Sequence, residues 1–494
     1  MNARLFINGR FVHGGAKKTV INPSRGVPLC EAELALEPEL EAALDGARRA
    51  FDSGSWKDIS LDKRRECLVK MAAGIRERAA ELAQLETWNA GKPIKETTFM
   101  DVPSSAQVFE ETAAHFEEYL KDPAPAGLPP EAEGRLLREP LGVVLLIVPW
   151  NYPLLIACWK LASALAAGNC VILKPSSLTP LSAIALAEIA CAAGIPDGVL
   201  NVVNCEGGLV GRKLCADSRV DMISFTGSNE SGGAILGHTA VSPKKTLMEL
   251  GGKSAALVFA GSDLETAVNS CLVSVFLNQG QMCTAMSRIL VEESVYDAFC
   301  AKFAAAAEKI AVGDAADFRT QMGPLISQGQ REKVASFVGE ALSRKARLLC
   351  GGRAPSEESL RSGFFYEPTV LAGVTSEMNI FRCEVFGPVA ALSRFKSPEE
   401  ALRLCNDSDY GLAASIWTRD EGAALKLAAG INSGTVWINT YGMFYPGLPY
   451  GGFKKSGFGK ELGKAGFLEY TRLKNVVLDR SEGGKPLVSY WYGF

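Results

Sequence analysis

Four short, almost entirely apolar segments alternate with helical segments between residues 143 and 225, and this alternation constrains the fold more than any other feature. The segments are VVLLIV (143–148), NCVIL (169–173), VLNVV (199–203) and DMISF (221–225). Apolar strands of this length between helices are typical of a parallel sheet covered by helices on both faces. The sequence therefore predicts an α/β fold, and sheets of this kind bind nucleotides at the carboxyl ends of their strands.

A chain of 494 residues exceeds what one hydrophobic core usually covers, so two or three domains are expected. Asn8-Gly9 predicts the turn of a β-hairpin. Helices are predicted over 39–53, 61–89 and 101–120, and the second of them is expected to stop at Gly91. Two further helices are predicted, one capped by Thr179 with Pro180 as its first residue and one opening at Asp263. Strands are predicted at 288–291, 366–371 and 389–392, and the Pro/Gly-rich stretch 121–134 reads as a connector.

Charge and cysteine usage exclude several classes of partner. A formal charge of -3 gives no electrostatic reason to expect nucleic acid or a membrane surface. The 13 cysteines have no CxxC pairs, which argues against a zinc site or a disulfide framework. No signal-like start or spanning helix is apparent, and the longest apolar run is about half of the ~20 residues a span needs. We expect a cytoplasmic protein without a metal, whose partners are small molecules or copies of itself.

Polar loops follow the predicted strands, and the carboxyl ends of parallel strands share one edge of a sheet. PWNYP, KPSSLTP and FTGSNESGG follow strands directly, and ELGGKS lies further on. The predicted crevice therefore combines Asn151, Lys174, Gly227-Ser228 and Glu249. Each has a simpler interpretation when taken alone: a turn residue, a solvated lysine, a packing turn and a helix cap.

A single cysteine, Cys283, lies in NQGQMCTAMSR, and a reactive thiol needs a helix N-terminus, a cation or a base nearby. Taken alone it would more often be inert, as we expect of Cys158, Cys170, Cys191 and Cys271 in apolar surroundings. Together with PWNYPLLIACWK, FTGS, ELGGKS, CEVFGPV and PYGGFKKSGFGKELG, however, the stretch closely resembles the NAD(P)-dependent aldehyde dehydrogenase superfamily. The resemblance runs from the first hairpin to the last strand, and it is strongest to betaine aldehyde and aminoaldehyde dehydrogenases.

The resemblance implies a mechanism that needs no histidine. Cys283 attacks the aldehyde carbon, and the Asn151 amide with the Cys283 N–H holds the oxyanion. Hydride passes to the nicotinamide, and Glu249 activates the water that hydrolyses the thioester. The residues that the resemblance places at the cofactor NAD or NADP are Pro149, Trp150, Lys174, Ser177, Phe225, Gly227, Ser228, Leu250, Glu384 and Phe386. Lys160 and Glu461 match positions associated with proton exit, and a structural ion pair explains them equally well.

Two departures from the family pattern concern specificity. Many NAD-preferring members carry a glutamate where this chain has Ser177, whose hydroxyl cannot repel a 2′-phosphate; alternatively Ser177 only caps a turn. On the substrate side, Tyr152, Trp159, Phe444 and Tyr450 are expected to form either an aromatic wall for a quaternary ammonium or a plain apolar tunnel. Betaine aldehyde is the expected substrate, with an aminoaldehyde, a semialdehyde or a broad range of aldehydes as alternatives.

The resemblance also implies a Rossmann-type cofactor domain (1–120 and 141–250), an α/β catalytic domain (251–450) and a small β bridging arm (121–140 and 473–494) that joins subunits into a dimer or tetramer. Two rival functions remain open from the sequence. A Cys-His hydrolase would need one of only three histidines, His13, His115 and His238, beside the cysteine. A non-catalytic scaffold would be expected to have lost some of the active residues, and these are all present.

Overall fold

The computed structural model describes residues 3–122 and 125–481. Its strands are β1 (Leu5–Ile7), β2 (Arg10–Val12), β3 (Ala16–Asn22), β4 (Val27–Leu34), β5 (Ala132–Pro140), β6 (Val143–Ile147), β7 (Cys170–Lys174), β8 (Leu200–Val202), β9 (Met222–Thr226), β10 (Lys245–Glu249), β11 (Ala255–Val258), β12 (Arg288–Glu292), β13 (Arg347–Cys350), β14 (Thr369–Ala372), β15 (Val389–Phe395), β16 (Tyr410–Gly411), β17 (Ala413–Trp417), β18 (Thr435–Ile438), β19 (Phe453–Lys454), β20 (Gly457–Phe458) and β21 (Thr471–Asp479).

The helices are α1 (Glu37–Asp52), α2 (Leu61–Glu77), α3 (Ala79–Ala90), α4 (Ile94–Glu96), α5 (Val102–Tyr119), α6 (Pro153–Ala166), α7 (Leu181–Ala193), α8 (Gly207–Leu209), α9 (Asn229–Thr239), α10 (Leu264–Phe276), α11 (Glu293–Ala307), α12 (Gln328–Ser343), α13 (Asn379–Arg382), α14 (Pro398–Asn406), α15 (Glu421–Gly430) and α16 (Gly463–Glu469). Short π-helical turns occupy Thr97–Asp101 and Val210–Cys215, and 3₁₀ turns occupy Leu277–Gly280 and Glu358–Leu360. Within the described ranges, no helix combines the length and apolarity needed to cross a bilayer.

The first sheet has the strand order β2-β1-β8-β7-β6-β9-β10-β20. Its five central strands, β8 to β10 in that order, run parallel, and they include the four apolar segments predicted from the sequence. The edges differ because the N-terminal hairpin and β20 pair antiparallel with β8 and β10. The predicted hairpin turn is confirmed, with positive φ at both Asn8 and Gly9.

The second sheet has the order β13-β14-β15-β12-β11-β17-β18, and every pair except β13 with β14 is parallel. The chain then returns to the first sheet through β20, whose residues Gly457 and Phe458 pair with β10. They belong to the stretch 451–472, which the sequence left without a domain. A separate two-stranded ribbon pairs β5 with β21 antiparallel over nine residues each. Residues 473–479 of the expected bridging arm lie in β21 and pair with residues 132–138 of β5, which belong to the other segment assigned to that arm.

Two helix predictions were wrong in detail. The helix expected over residues 61–89 is two helices, because Arg78 leaves the helical region (φ -99°, ψ 20°) between α2 and α3. The expected stop at Gly91 is confirmed by its left-handed φ of 76°. Thr179 does not cap α7: its buried hydroxyl makes no hydrogen bond within the described residues, and the Leu181 N–H donates instead to Asn89 Oδ1 at 3.3 Å. A tertiary contact from α3 has replaced the local cap.

Candidate active site

The predicted gathering of polar loops at one sheet edge is confirmed. Lys174 ends β7, Asn151 follows β6, Gly227-Ser228 follows β9 and Glu249 ends β10. These strands are neighbours in the order β7-β6-β9-β10 and run parallel, so their carboxyl ends face the same side. The four loops therefore border one crevice.

A cavity of about 390 Å³ lies beside this edge. Among the residues proposed from the sequence, its lining includes Tyr152, Trp159, Glu249, Leu250, Cys283, Phe444, Tyr450 and Glu461. Asn151 and Lys160 do not line it, but Lys160 bonds to Glu461 at its wall and Asn151 bonds to Gln281, two residues before Cys283. The structure thus brings the four expected aromatic residues to the cysteine.

An irregular loop carries Cys283 into the cavity. Asn278, Gln279 and Gly280 adopt positive φ values of 48°, 58° and 69°, a conformation that Asn and Gly tolerate better than most residues. The Asn278 N–H donates to both carboxylate oxygens of Glu96, at 3.0 and 3.3 Å, and its side-chain amide donates to the Asn151 carbonyl at 3.0 Å. Asn278 therefore ties the cysteine loop to the Asn151 loop, and Glu96 anchors the same loop to α4; the sequence reasoning assigned neither residue.

Asn151 is buried and directs its amide toward the same loop. Its Nδ2 donates to the Gln281 carbonyl at 2.8 Å. A side-chain amide has two N–H donors, so one of them remains for an oxygen bound next to Cys283. This arrangement matches the role expected for Asn151 in holding an oxyanion.

Cys283 contacts a phenol. Its Sγ lies 3.3 Å from Tyr450 Oη, and the two residues are 167 positions apart in the chain. Burial raises the pKa of the Cys283 thiol to about 12, while the hydrogen bond from Tyr450 acts in the opposite direction. Burial therefore favours the neutral thiol over the thiolate at physiological pH.

Replacing Tyr450 by phenylalanine should slow alkylation of Cys283. Loss of the phenol removes a donor to the thiolate, so the pKa rises and the thiolate fraction falls at every pH below it. We expect the rate with iodoacetamide at pH 9 to drop roughly three- to tenfold. Mass spectrometry of the Cys283 peptide measures the rate, and the exposed Cys383 in the same sample is the internal control. An unchanged Cys283 rate would show that the phenol does not donate to Sγ.

Glu249 is a buried carboxyl group with an oxygen that lacks a partner. Its side chain is 3% exposed, and Oε1 makes no hydrogen bond within the described residues. Burial, followed by the charge of Glu461, raises the pKa of Glu249 well above its ordinary value. Burial therefore favours the neutral form of Glu249, and the group acts as a base only in its deprotonated form.

Lys160 and Glu461 form a fully buried ion pair. The Lys160 ammonium also donates to Ser224 Oγ at 2.7 Å, and the Tyr470 phenol donates to the same hydroxyl at 3.1 Å. Glu461 reaches the cavity wall while Lys160 lies behind it. The geometry is compatible with both interpretations offered from the sequence, a proton route and a structural pair.

Two glycines of the ELGGKS segment let three chain segments meet. A Cβ added at Gly252 would lie 2.2 Å from the Cys283 carbonyl oxygen, and one at Gly251 would lie 2.7 Å from Glu384 Oε2. The Gly252 N–H also donates to Glu384 Oε1 at 2.8 Å. Larger residues at Gly251 and Gly252 would push the nucleophile loop and Glu384 away from this segment. Glycine is therefore required at both positions because these groups approach the backbone closely.

The residues expected at the cofactor fit a dinucleotide. Lys174 is buried, its ammonium has no hydrogen-bond partner among the described residues, and burial lowers its pKa. Ser228 caps α9, whose N-terminal N–H groups suit a phosphate. The rings of Trp150 and Phe386 meet edge to face at 5.2 Å, with Phe386 at a strained φ of 59°.

The remaining cofactor positions support this loop cluster. Phe225 packs under the turn, where a Cβ at Gly227 would lie 2.5 Å from its ring, and Leu250 lines the cavity. Pro149 precedes Trp150 in the loop after β6. Phe225, Pro149 and Leu250 thus lie at or just beyond the carboxyl ends of the neighbouring strands β9, β6 and β10, the edge at which such sheets bind nucleotides.

Ser177 has a partner that the sequence reasoning missed. Lys18 Nζ, from the distant strand β3, donates to Ser177 Oγ at 3.0 Å and to Glu206 Oε1 at 2.9 Å. The two residues are 159 positions apart. No local pattern could have revealed this contact.

Lys92 is another residue that the sequence reasoning missed. It is fully buried, paired with Asp101, and its ammonium lies 3.4 Å from the centroid of the Tyr152 ring. Both Asp101 and Tyr152 line the cavity. One face of an expected substrate-binding ring is therefore already occupied by a cation of the protein.

The rival sites find little support in the geometry. No histidine lines the cavity: His13 contacts Glu33, His115 contacts Glu111, and His238 lies in the last turn of α9. Of the cysteines expected to be inert, Cys158, Cys170 and Cys271 are buried as predicted, whereas Cys191 is exposed. The prediction for Cys191 was wrong because it lies near the end of α7, on the side that faces solvent.

Comparisons with known proteins agree with this geometry. Residues 11–476 match the profile described as the aldehyde dehydrogenase family. The betaine aldehyde dehydrogenase of Bacillus subtilis (strain 168) is 40% identical over the full length of both chains, and retinaldehyde dehydrogenase 3 of Mus musculus is 39% identical over 97% of this chain and 93% of the relative. The crystal structure of betaine aldehyde dehydrogenase from Staphylococcus aureus with NAD⁺ is similar at a TM-score of 0.94 and 36% identity, covering 97% of this chain and 95% of that one.

Proposed function

This chain belongs to the aldehyde dehydrogenase family, and from that premise we propose that it oxidises an aldehyde to its carboxylic acid through a thiohemiacetal and a thioester on Cys283. The observation that carries this proposal is the single cavity that holds the Cys283 thiol, the Glu249 carboxyl group and the Tyr450 phenol. Asn151 bonds to the same loop two residues before the cysteine. A nucleophile, an amide donor and a carboxyl group are the set that acyl transfer requires.

The residues of the chain divide the reaction among them. Cys283 passes its thiol proton to the Glu249 carboxylate as Sγ bonds to the aldehyde carbon, and the Asn151 amide with the Cys283 N–H stabilises the oxygen that becomes negative. Glu249 releases that proton before it acts on water. One such donor lowers the barrier by roughly 3 to 4 kcal/mol. When bound, the oxidised nicotinamide accepts the hydride of the former aldehyde carbon. Glu249 then removes a proton from water, which attacks the thioester and releases the acid and the Cys283 thiolate.

For the substrate we propose betaine aldehyde. The support is a cluster of rings beside the nucleophile: the centroids of Trp159, Phe444 and Tyr450 lie 5.4 to 5.8 Å from one another. Aromatic faces attract quaternary ammonium groups, each with roughly 0.5 to 2 kcal/mol. In betaine aldehyde the ammonium is one methylene from the carbonyl, so a cation bound there would remain close to Cys283.

A second candidate is an uncharged aldehyde with an apolar chain. Phe99, Met443 and Tyr445 line the cavity and are 70%, 48% and 52% exposed, so its wall continues into an apolar surface. The Lys92 ammonium at Tyr152 would also repel a second cation on that ring. The relatives do not decide, since proteins named for betaine aldehyde and for retinaldehyde are almost equally similar.

A matched pair of substrates separates these candidates. Betaine aldehyde and 3,3-dimethylbutanal have the same shape and differ in charge. If the rings bind a cation, kcat/KM for betaine aldehyde should exceed that for the neutral analogue by about tenfold or more, after correction for aldehyde hydration. Trp159→Leu should reduce that ratio. A ratio near one in the wild type, with decanal turned over faster than either, would select the apolar candidate.

Lys160 and Glu461 are proposed to conduct the proton that Glu249 releases, and their arrangement also serves as a structural ion pair. The support for the route is that Glu461 lies at the cavity wall and acts electrostatically on Glu249. Because both partners are buried, removal of one would leave an uncompensated charge, at a typical cost of about 3 to 5 kcal/mol.

We further propose the division into a cofactor domain, a catalytic domain and a bridging arm, and an assembly of two or four subunits. The support is the β5–β21 ribbon, whose two strands pair only with each other among the described residues. Residues 482–494 of the expected arm lie outside the described residues.

All thirteen cysteines are free, which supports the reducing cytoplasm as the location.

Deletion of residues 486–494 should lower the oligomer mass as well as the thermal stability, if the arm completes a neighbouring subunit's sheet. Light scattering during size exclusion measures the mass, and a melting curve measures the stability. Lys474→Ala, which changes only an exposed ion pair on β21, is the control and should leave the mass unchanged. A monomeric intact protein at working concentration would contradict the arm assignment.

A further inference from the structure

Lys18 and Glu206 lie beside Ser177, the position expected at the adenosine ribose, and neither has a part in the reaction described above. We propose that Lys18 is a specificity residue that binds the 2′-phosphate of NADP, and that Glu206 weakens this binding. This inference rests on the proposed cofactor site at Lys174 and Ser177.

Lys18 already contacts the hydroxyl of Ser177, the position expected at the adenosine ribose. Its ammonium donates to Ser177 Oγ at 3.0 Å and to Glu206 Oε1 at 2.9 Å. Lys18 is 31% and Glu206 is 56% exposed, so both side chains can move when a ligand arrives. A phosphate next to Ser177 would therefore lie within reach of the Lys18 ammonium, which could turn toward it at a small cost in free energy.

The strand β3 fixes the direction from which Lys18 approaches. Successive side chains of a strand point to opposite faces, so Lys18 shares its face with Val20, which is 1% exposed. Lys17 points the other way, is 62% exposed and lies 3.9 Å from Glu33. Burial of Val20 thus anchors the strand with Lys18, and not Lys17, turned toward the Ser177 loop.

A second ammonium reinforces the site. Burial lowers the pKa of Lys174, Cys205 and Glu206 raise it, and Lys18 lowers it further. The two lysines are therefore close enough to repel, with the Glu206 carboxylate as the compensating charge. A dianionic phosphate between them would relieve this repulsion through charge-assisted hydrogen bonds, which are the stronger kind.

Glu206 works against the phosphate in two ways. It engages the Lys18 ammonium in the cofactor-free protein, and its own negative charge would repel the ligand. Removal of that charge should thus favour NADP, whereas removal of Lys18 should disfavour it. Opposite effects from two contacting residues are a signature that a general structural role would not produce.

Binding of nucleotides to the cofactor-free protein tests this directly by titration calorimetry. The ligands are NAD⁺ and NADP⁺, together with 5′-AMP and adenosine 2′,5′-bisphosphate, which isolate the 2′-phosphate from the nicotinamide. The wild type should bind both dinucleotides, with NADP⁺ at least competitive. Lys18→Met should weaken NADP⁺ and the bisphosphate about tenfold and change NAD⁺ and AMP by less than about twofold.

The other variants complete the experiment. Glu206→Gln should strengthen NADP⁺ binding, Ser177→Glu should shift preference toward NAD⁺, and the control Lys17→Met should change neither. Equal weakening of all four ligands by Lys18→Met, or no weakening of the two phosphorylated at the 2′ position, would overturn the assignment of Lys18. Failure of the wild type to bind either dinucleotide would instead overturn the proposed cofactor site itself.

Discussion

Cys283→Ala is expected to lower kcat for aldehyde oxidation by at least about 10⁴-fold while leaving cofactor affinity within about twofold of the wild type. The substitution removes the only cysteine among the described residues that line the cavity. It touches no group expected to bind a phosphate, and the Gly252–Cys283 backbone contact does not depend on the side chain. Reduced cofactor formation followed at 340 nm measures the loss.

A matched control distinguishes loss of the nucleophile from loss of a thiol in general. Cys191 is exposed on α7, so Cys191→Ala should retain full activity. Calorimetric titration with NAD⁺ verifies that the Cys283 variant still folds around its ligand. Residual turnover above about 1% of the wild type would contradict a covalent role for Cys283, since the thiohemiacetal could not form.

Glu249→Gln is expected to stop the reaction one step later, after the hydride has left. The amide cannot accept a proton from water, so hydrolysis of the thioester should slow by roughly 10² to 10⁴-fold. Rapid mixing should show a burst of about one reduced cofactor per site, then very slow turnover. Steady turnover without a burst would count against Glu249 as the base.

The pH dependence gives an independent check on Glu249. Because burial raises the pKa of Glu249, the basic form is scarce at low pH and its population grows as pH rises. The wild-type rate of hydrolysis should therefore increase with pH until that pKa is passed, and the Glu249→Gln rate should not. The variant should also keep its melting temperature, because the amide has the size of the carboxyl group, carries no charge into a site where burial disfavours charge, and replaces an oxygen without a hydrogen-bond partner among the described residues.

Local patterns were sufficient for much of the framework. The apolar segments predicted the central parallel strands. The positions of the polar loops after these strands placed Asn151, Lys174 and Glu249 at one edge, because the carboxyl ends of parallel strands lie on the same side of a sheet. Patterns failed where a distant group intervened, since the Asn89 side chain replaced Thr179 at the start of α7. They also missed the break of the predicted helix 61–89 at Arg78. Periodicity reports the backbone's preference and carries no information about such partners.

The sequence by itself determined the fold class, the sheet edge that carries the loops, the resemblance that identifies Cys283 and the unusual Ser177. Only the tertiary structure decided what surrounds them: Tyr450 on the thiol, Glu96 holding Asn278, Lys92 on the Tyr152 ring and Lys18 on Ser177. The features that the sequence determined depend on which residues are neighbours along the chain. The second set joins positions as much as 182 residues apart, so it exists only after packing has brought buried charges and hydroxyls together, where burial shifts their pKa values and sets their chemistry.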